Sequence, residues 1–179
     1  MKIYFVRHSL RDNSVKEDVI APLTKEGLNK AEALASFFDD KNIEQIYASP
    51  YRRVIETVLP TAKRLKLLIN KDEGLRERKI GRWVEDFYEF AEKQWRDFDY
   101  KLENGESLNE VQGRIVQAYH RIIENNEVQT LLICGHGTAM SLLFNHLTNG
   151  EFNYEEFLQM KMPSIYLYET NTQALTHIQ

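Results

Sequence analysis

Short strand patterns alternating with amphipathic helices over 179 residues predict an α/β domain with a mostly parallel sheet and helices on both faces. Three observations carry this. Residues 3–6 and 130–134 are apolar runs too short for helices but of the right length for buried strands. Residues 24–39 put Leu28, Ala31, Leu34, Ala35 and Phe38 at helical spacing, with Lys25, Glu26, Lys30 and Glu32 between them. The chain is 28 % charged and 11 % aromatic, with no low-complexity tract, linker or internal repeat, so 1–179 reads as a single globular domain.

The elements follow in order. After the strand at 3–6 comes a polar loop, 9–22, and then the helix capped by Thr24. Residues 43–48 form the second strand. Ser49-Pro50 supplies a capping side chain followed by proline in the first turn, a helix-start signal. Pro60 falls inside that helix and is expected to kink or interrupt it near Val58, because proline has no N–H and its ring crowds the preceding turn. Residues 67–70 and 130–134 are the third and fourth strands. Gly135-His136-Gly137 leads from the latter into an apolar helix, 138–147. Residues 165–169 and 174–178 read as a terminal hairpin around Asn171-Thr172. The interval 82–126 has helical patterns and no strand, and is expected to be helical decoration over one end of the sheet.

Composition narrows the function. A formal charge of −4 argues against general nucleic-acid binding, which needs a broad basic surface, but leaves room for a small positive pocket. The apolar runs are far shorter than the roughly 20 residues that span a bilayer, and the start of the chain has no long apolar segment of the secretory kind. The one cysteine, Cys134, cannot form an internal disulfide, which suits a reducing compartment; cytoplasmic is the expectation.

In open α/β sheets ligands bind outside the carboxyl ends of the strands. Arg7-His8, Ser49-Pro50-Tyr51-Arg52-Arg53 and Gly135-His136-Gly137 each follow an expected strand, so two histidines and at least two arginines should converge there. Arginine's planar fork matches phosphate oxygens, and helix N-termini offer further N–H donors.

The segments "VRHS" (6–9), "PLTKEG" (22–27), "SPYRRVIET" (49–57), "LRERKIGRW" (75–83), "NGES" (104–107) and "CGHG" (134–137), in this order, resemble the motifs of the histidine phosphatase superfamily, also called phosphoglycerate mutase-like. The resemblance covers residues 3 to about 140. It implies a three-layer phosphoglycerate mutase-like fold and a metal-independent phosphatase without cofactor. The reaction it implies is hydrolysis of a small phosphomonoester through phosphohistidine. By motif position His8 takes the nucleophile's place and Arg7 binds phosphate beside it. Arg53, four residues after Ser49, is the second phosphate-binding arginine. Glu77, four residues before Gly81, is the proton donor, and His136 is both catalytic and phosphate-binding. Ser9 stands where the family has glycine, which can take positive φ and approach phosphate closely. The family asparagine six residues after the nucleophile is replaced by Ser14, with Asn13 one residue early.

The chemistry agrees with these roles. A histidine that attacks phosphorus must be neutral, and flanking guanidinium groups disfavour the imidazolium. The arginines and His136 can hold the equatorial oxygens, while Glu77 protonates the departing alkoxide and later takes a proton from water. Blander readings apply elsewhere. Cys134 reads as a small buried apolar residue and not as a metal ligand with His136, and His120, His146 and His177 as surface or packing residues. Arg52, Arg76, Arg78 and Lys79 form either an electropositive rim or a solvated charged face. Most aromatics between Trp83 and Tyr100 are packing. The sequence has no Gly-x-Ser-x-Gly, no phosphate-binding loop ending in Lys-Ser/Thr and no dinucleotide-binding glycine pattern. Two alternatives remain: a phosphoglycerate-type mutase, and a phosphate-binding regulatory domain without turnover.

Overall fold

The computed structural model describes all of residues 1–179. Six strands form one sheet: β1 (Lys2–Arg7), β2 (Gln45–Ala48), β3 (Ile69–Lys71), β4 (Thr130–Gly135), β5 (Ser164–Glu169) and β6 (Ala174–His177). Their spatial order is β3-β2-β4-β1-β5-β6. The first four are parallel to one another, and β5 and β6 add an antiparallel edge. Six α-helices accompany them: α1 (Lys25–Ala35), α2 (Arg52–Leu65), α3 (Phe87–Arg96), α4 (Leu108–Glu124), α5 (Gly137–Leu147) and α6 (Tyr154–Gln159).

Because successive strand residues point to opposite faces, each strand feeds two cores. Ile3, Phe5, Leu131, Ile133, Tyr166 and Tyr168 join α4, α5 and α6 in the larger core. Tyr4, Val6, Ile46, Leu132, Cys134 and Ile165 face α1 and α2 in the smaller one. The result is the expected three-layer α/β fold. β4 is buried along its whole length, and α5 is buried from Gly137 to Phe144, which accounts for their continuous apolar sequence.

Several local expectations need correcting. Leu28 is 47 % exposed; α1 instead buries Gly27, Ala31, Leu34 and Ala35, because Gly27 packs against the backbone of Leu10. α2 runs unbroken through Pro60, on a side of the helix where Leu59 and Lys63 are exposed. There the carbonyl deprived of its N–H partner can be hydrated. Ser49 does not cap α2, which begins at Arg52 with Tyr51 as its cap residue. β2 and β3 start two residues later than expected. The interval 82–126 is only partly decoration: α4 buries Leu108, Val111, Ile115, Ala118, Tyr119 and Ile122 in the larger core, opposite the sheet. No helix is long and apolar enough to cross a membrane.

Candidate active site

The register brings three strand ends together. Arg7 at the end of β1 pairs with Gly135 at the end of β4, and Ala48 of β2 pairs with Cys134. The next residues extend the ladder: His8 N–H donates to the Gly135 carbonyl at 3.0 Å and Ser49 N–H to the Cys134 carbonyl at 3.1 Å. His8 and His136 therefore leave adjacent strands at one edge, with ring centroids 5.3 Å apart. β4 lies between β1 and β2 although it comes later in the chain, so the histidines meet where the chain reverses its progress across the sheet.

Arg53, in the first turn of α2 and only 2 % exposed, bridges the two rings. Its Nε donates to His8 Nε2 at 3.1 Å and its Nη2 to His136 Nδ1 at 3.0 Å. It also reaches the loop before α1: Nη1 donates to the Asp18 carbonyl at 2.5 Å, and Nη2 lies 3.1 Å from Asp18 Oδ1.

These bonds assign the protons. A guanidinium only donates, so His8 Nε2 and His136 Nδ1 must offer lone pairs. His8 Nδ1 lies 2.7 Å from the Ser9 carbonyl, which only accepts, so Nδ1 carries the hydrogen. His136 correspondingly donates from Nε2 to Ser49 Oγ at 2.8 Å. Both rings are held well below the ordinary histidine range, chiefly by burial and next by the Arg53 charge. Burial leads, where the sequence had pointed to the arginines alone. His8 is thus neutral, with an acceptor nitrogen aimed at Arg53.

Arg7 donates from Nη1 to the Met160 carbonyl, and burial pulls its pKa down. A Cβ on Gly137 would lie 2.9 Å from three atoms of the Arg7 guanidinium, so glycine is needed there for close approach. Glu77 arrives on an extended stretch after the 3₁₀ turn Glu73–Leu75. Its Oε1 accepts from Ala139 N at 3.0 Å and from Arg78 N at 2.8 Å, and its Oε2 from Thr138 N at 3.2 Å. The carboxylate is thereby anchored at the N-terminus of α5, beside His136.

Five sequence-derived residues, Arg7, His8, Arg53, Glu77 and His136, thus converge. Ser9 is fully buried at ordinary φ; its Oγ donates to the Gly27 carbonyl at 2.8 Å and its N–H to Thr57 Oγ1 at 2.9 Å, so the site accommodates its side chain. Asn13 and Ser14 are exposed, and Ser14 is spent on Asp12. Neither joins the site. Of the rim candidates, Arg52 pairs with Glu56 and Arg76 with Glu106, Lys79 is exposed, and Arg78 is buried. His120, His146 and His177 lie at the surface. Asp18 and the Ser49 hydroxyl were missed; Asp18 is one acid among several in a polar loop, and nothing local marks it. No three His, Cys, Asp or Glu side chains stand close enough to hold a metal ion.

Two histidines and two arginines gather at the strand ends of this fold, and the sequence matches the histidine phosphatase superfamily (branch 1) over residues 3–176. The chain belongs to that family. Among its relatives, a Hydrogenobacter thermophilus protein provisionally named phosphoserine phosphatase 2 is 28 % identical over 160 residues, covering 82 % of this chain and 78 % of that one. The 55 kDa subunit of Saccharomyces cerevisiae transcription factor tau is 29 % identical over 181 residues, spanning 79 % of this chain but 40 % of the yeast protein. The fold is also that of mycobacterial glucosyl-3-phosphoglycerate phosphatase solved with inorganic phosphate: TM-score 0.80, 18 % identity, 99 % of this chain and 95 % of that one.

Proposed function

We propose that this single domain hydrolyses a small phosphomonoester by transferring the phosphoryl group to His8 Nε2. The observation that carries the reading is the enforced tautomer. The Ser9 carbonyl holds the hydrogen on Nδ1, leaving the Nε2 lone pair pointed at Arg53. In the first step Nε2 exchanges the Arg53 N–H for phosphorus, the N–P bond forms and the ester P–O bond breaks. Arg53, Arg7 and His136 turn to the equatorial oxygens, and Glu77 protonates the departing alkoxide. The positive charge that the imidazole acquires is stabilised through Nδ1–H on the Ser9 carbonyl. In the second step Glu77 takes a proton from water, oxygen attacks phosphorus, and the N–P bond breaks to return Nε2 with its lone pair.

Arg78 suggests what the substrate carries besides phosphate. It is 3 % exposed, lies between the Phe87 and Phe90 rings, donates from Nη1 to Gln94 Oε1, and has no carboxylate within ion-pair distance. A buried cation next in the chain to Glu77, with no carboxylate paired to it, favours a substrate with a second anionic group. With the name of the Hydrogenobacter relative, this makes phosphorylated hydroxy and amino acids the first esters to try. A mutase would use the same intermediate, but it must keep water away from phosphohistidine. The 81–89 segment that would serve as cover is largely exposed, which favours hydrolysis. The setting that fits a lone buried Cys134 is the reducing cytoplasm.

The test is a rapid acid quench after mixing with ³²P-labelled ester. Wild-type protein should hold label that is lost in acid and stable in base, as a phosphoramidate is. His8→Ala should remain folded yet show neither label nor turnover. Label retained by His8→Ala would refute the assignment.

A further inference from the structure

Residues 74–79 carry Glu77 but belong to no strand or α-helix, so something else must hold their backbone. Two side chains do. Arg114, projecting from α4, donates from Nη1 to the Gly74 and Arg76 carbonyls, both at 2.9 Å, and from Nη2 to the Glu77 carbonyl at 3.5 Å. Its Nε and Nη2 also meet the two oxygens of Glu106 at 3.1 and 3.2 Å. Glu106 Oε2 accepts Lys79 N–H at 2.8 Å, and Glu106 N–H donates to the Lys79 carbonyl at 2.7 Å. One ion pair therefore contacts the main chain of four of these six residues. Both side chains are largely buried, 18 % and 15 % exposed, and the bonds to backbone answer the desolvation that would otherwise make such a pair costly.

The placement has a direction. Glu106 lies immediately before the Ser107 cap of α4, and Arg114 lies in the body of that helix. α4 packs against α5, whose first turn supplies the Thr138 and Ala139 N–H groups that hold the Glu77 carboxylate. Glu77 is thus gripped twice, at its backbone from α4 and at its carboxylate from α5. "NGES" and "LRERKIGRW", well separated in the chain, form one substructure, tightened further by the close approach of Gly81 to Gly105.

We infer that Glu106 and Arg114 are positioning residues for proton transfer, setting the main chain so that the Glu77 carboxylate stays at the mouth of α5. The inference rests on Glu77 being the proton-transfer group. A pair that only stabilised the fold would depress all substrates together; a pair that positions Glu77 acts where protonation of the leaving group matters.

The test uses Glu106→Gln and Arg114→Lys in the full chain, with two readouts. First, kcat/KM should fall roughly 10- to 100-fold for an alkyl phosphate but less than about threefold for an aryl phosphate, whose phenolate departs without help. In a Glu77→Gln background, Arg114→Lys should add no further loss on the alkyl ester. Second, amide hydrogen exchange should quicken selectively at Thr138 and Ala139 while Leu131–Cys134 stays protected. Equal losses on both esters, unchanged exchange at the two amides, or loss of protection across the sheet would each overturn the inference. Should Arg114→Lys fail to fold, Glu106→Gln, nearly identical in size, decides the matter. A wild type inert toward both esters would remove the proposed activity instead, while the exchange readout would still judge whether the pair positions the carboxylate.

Discussion

Gly137→Ala separates the work of Arg7 from the stability of the fold. Gly137 is the first residue of α5 and has no positive φ, so alanine fits its backbone and is a better helix former by up to about 1 kcal/mol. The new methyl would stand 2.9 Å from Nε, Cζ and Nη2 of Arg7. Carbon contacts are comfortable only from about 3.5 Å, so the guanidinium must retreat by roughly half an ångström or more. It cannot do so freely, being half-buried and tied to the Met160 carbonyl. Losing one charge-assisted hydrogen bond to the phosphoryl group, about 1.5–3 kcal/mol, corresponds to roughly a 10- to 150-fold loss in kcat/KM. Unfolding free energy should change by less than about 1 kcal/mol, since the helical gain offsets the displaced side chain. The assay is kcat/KM on an aryl phosphate, with inhibition by inorganic phosphate measured beside it and the urea midpoint as control. Unchanged kcat/KM and phosphate inhibition would show that Arg7 does not hold the phosphoryl group, or that its position is not critical.

Glu77→Gln should slow alkyl phosphates far more than aryl phosphates; equal losses, with His8 phosphorylation rate-limiting, would mean Glu77 is not the acid. Stability should fall with acid because of His8 and His136, both held well below the ordinary histidine range by burial and Arg53. Above about pH 8 neither folded nor unfolded chain protonates them; as the pH falls through about 6.5 the unfolded chain binds protons that the folded one refuses, costing up to about 1.4 kcal/mol per pH unit for each ring. Urea titrations between pH 7 and 5 should therefore show a shallower pH slope for His136→Gln than for wild type, and identical slopes would contradict the burial argument. Phe144→Ala removes a fully buried ring packed on Phe5, Phe152 and Tyr166 and should cost about 3–5 kcal/mol of unfolding free energy in the same titration.

What the sequence by itself determined is what local chemistry carries. Apolar runs such as 130–134 mark buried strands because few other structures bury so short a stretch, and Thr24 announces its helix by capping it. Arg7, His8, Arg53, Glu77 and His136 were legible because each sits in an ordered motif at a strand end, a helix start or beside a glycine. Only the tertiary structure decided the rest. The insertion of β4 between β1 and β2 makes the two histidines neighbours, and strand order depends on pairing between segments far apart in the chain, such as Lys2 with Thr130 and Gln45 with Leu131. The tautomer of His8 follows from a carbonyl on one side and a guanidinium on the other, which no spacing encodes. Ser49 and Pro60 carried correct local propensities that were overruled: the serine hydroxyl is taken by His136, and the proline lies where water can reach the carbonyl it frees. The grip of Arg114 on Gly74, Arg76 and Glu77 was invisible for the same reason, because its partners are backbone carbonyls, and every residue has one.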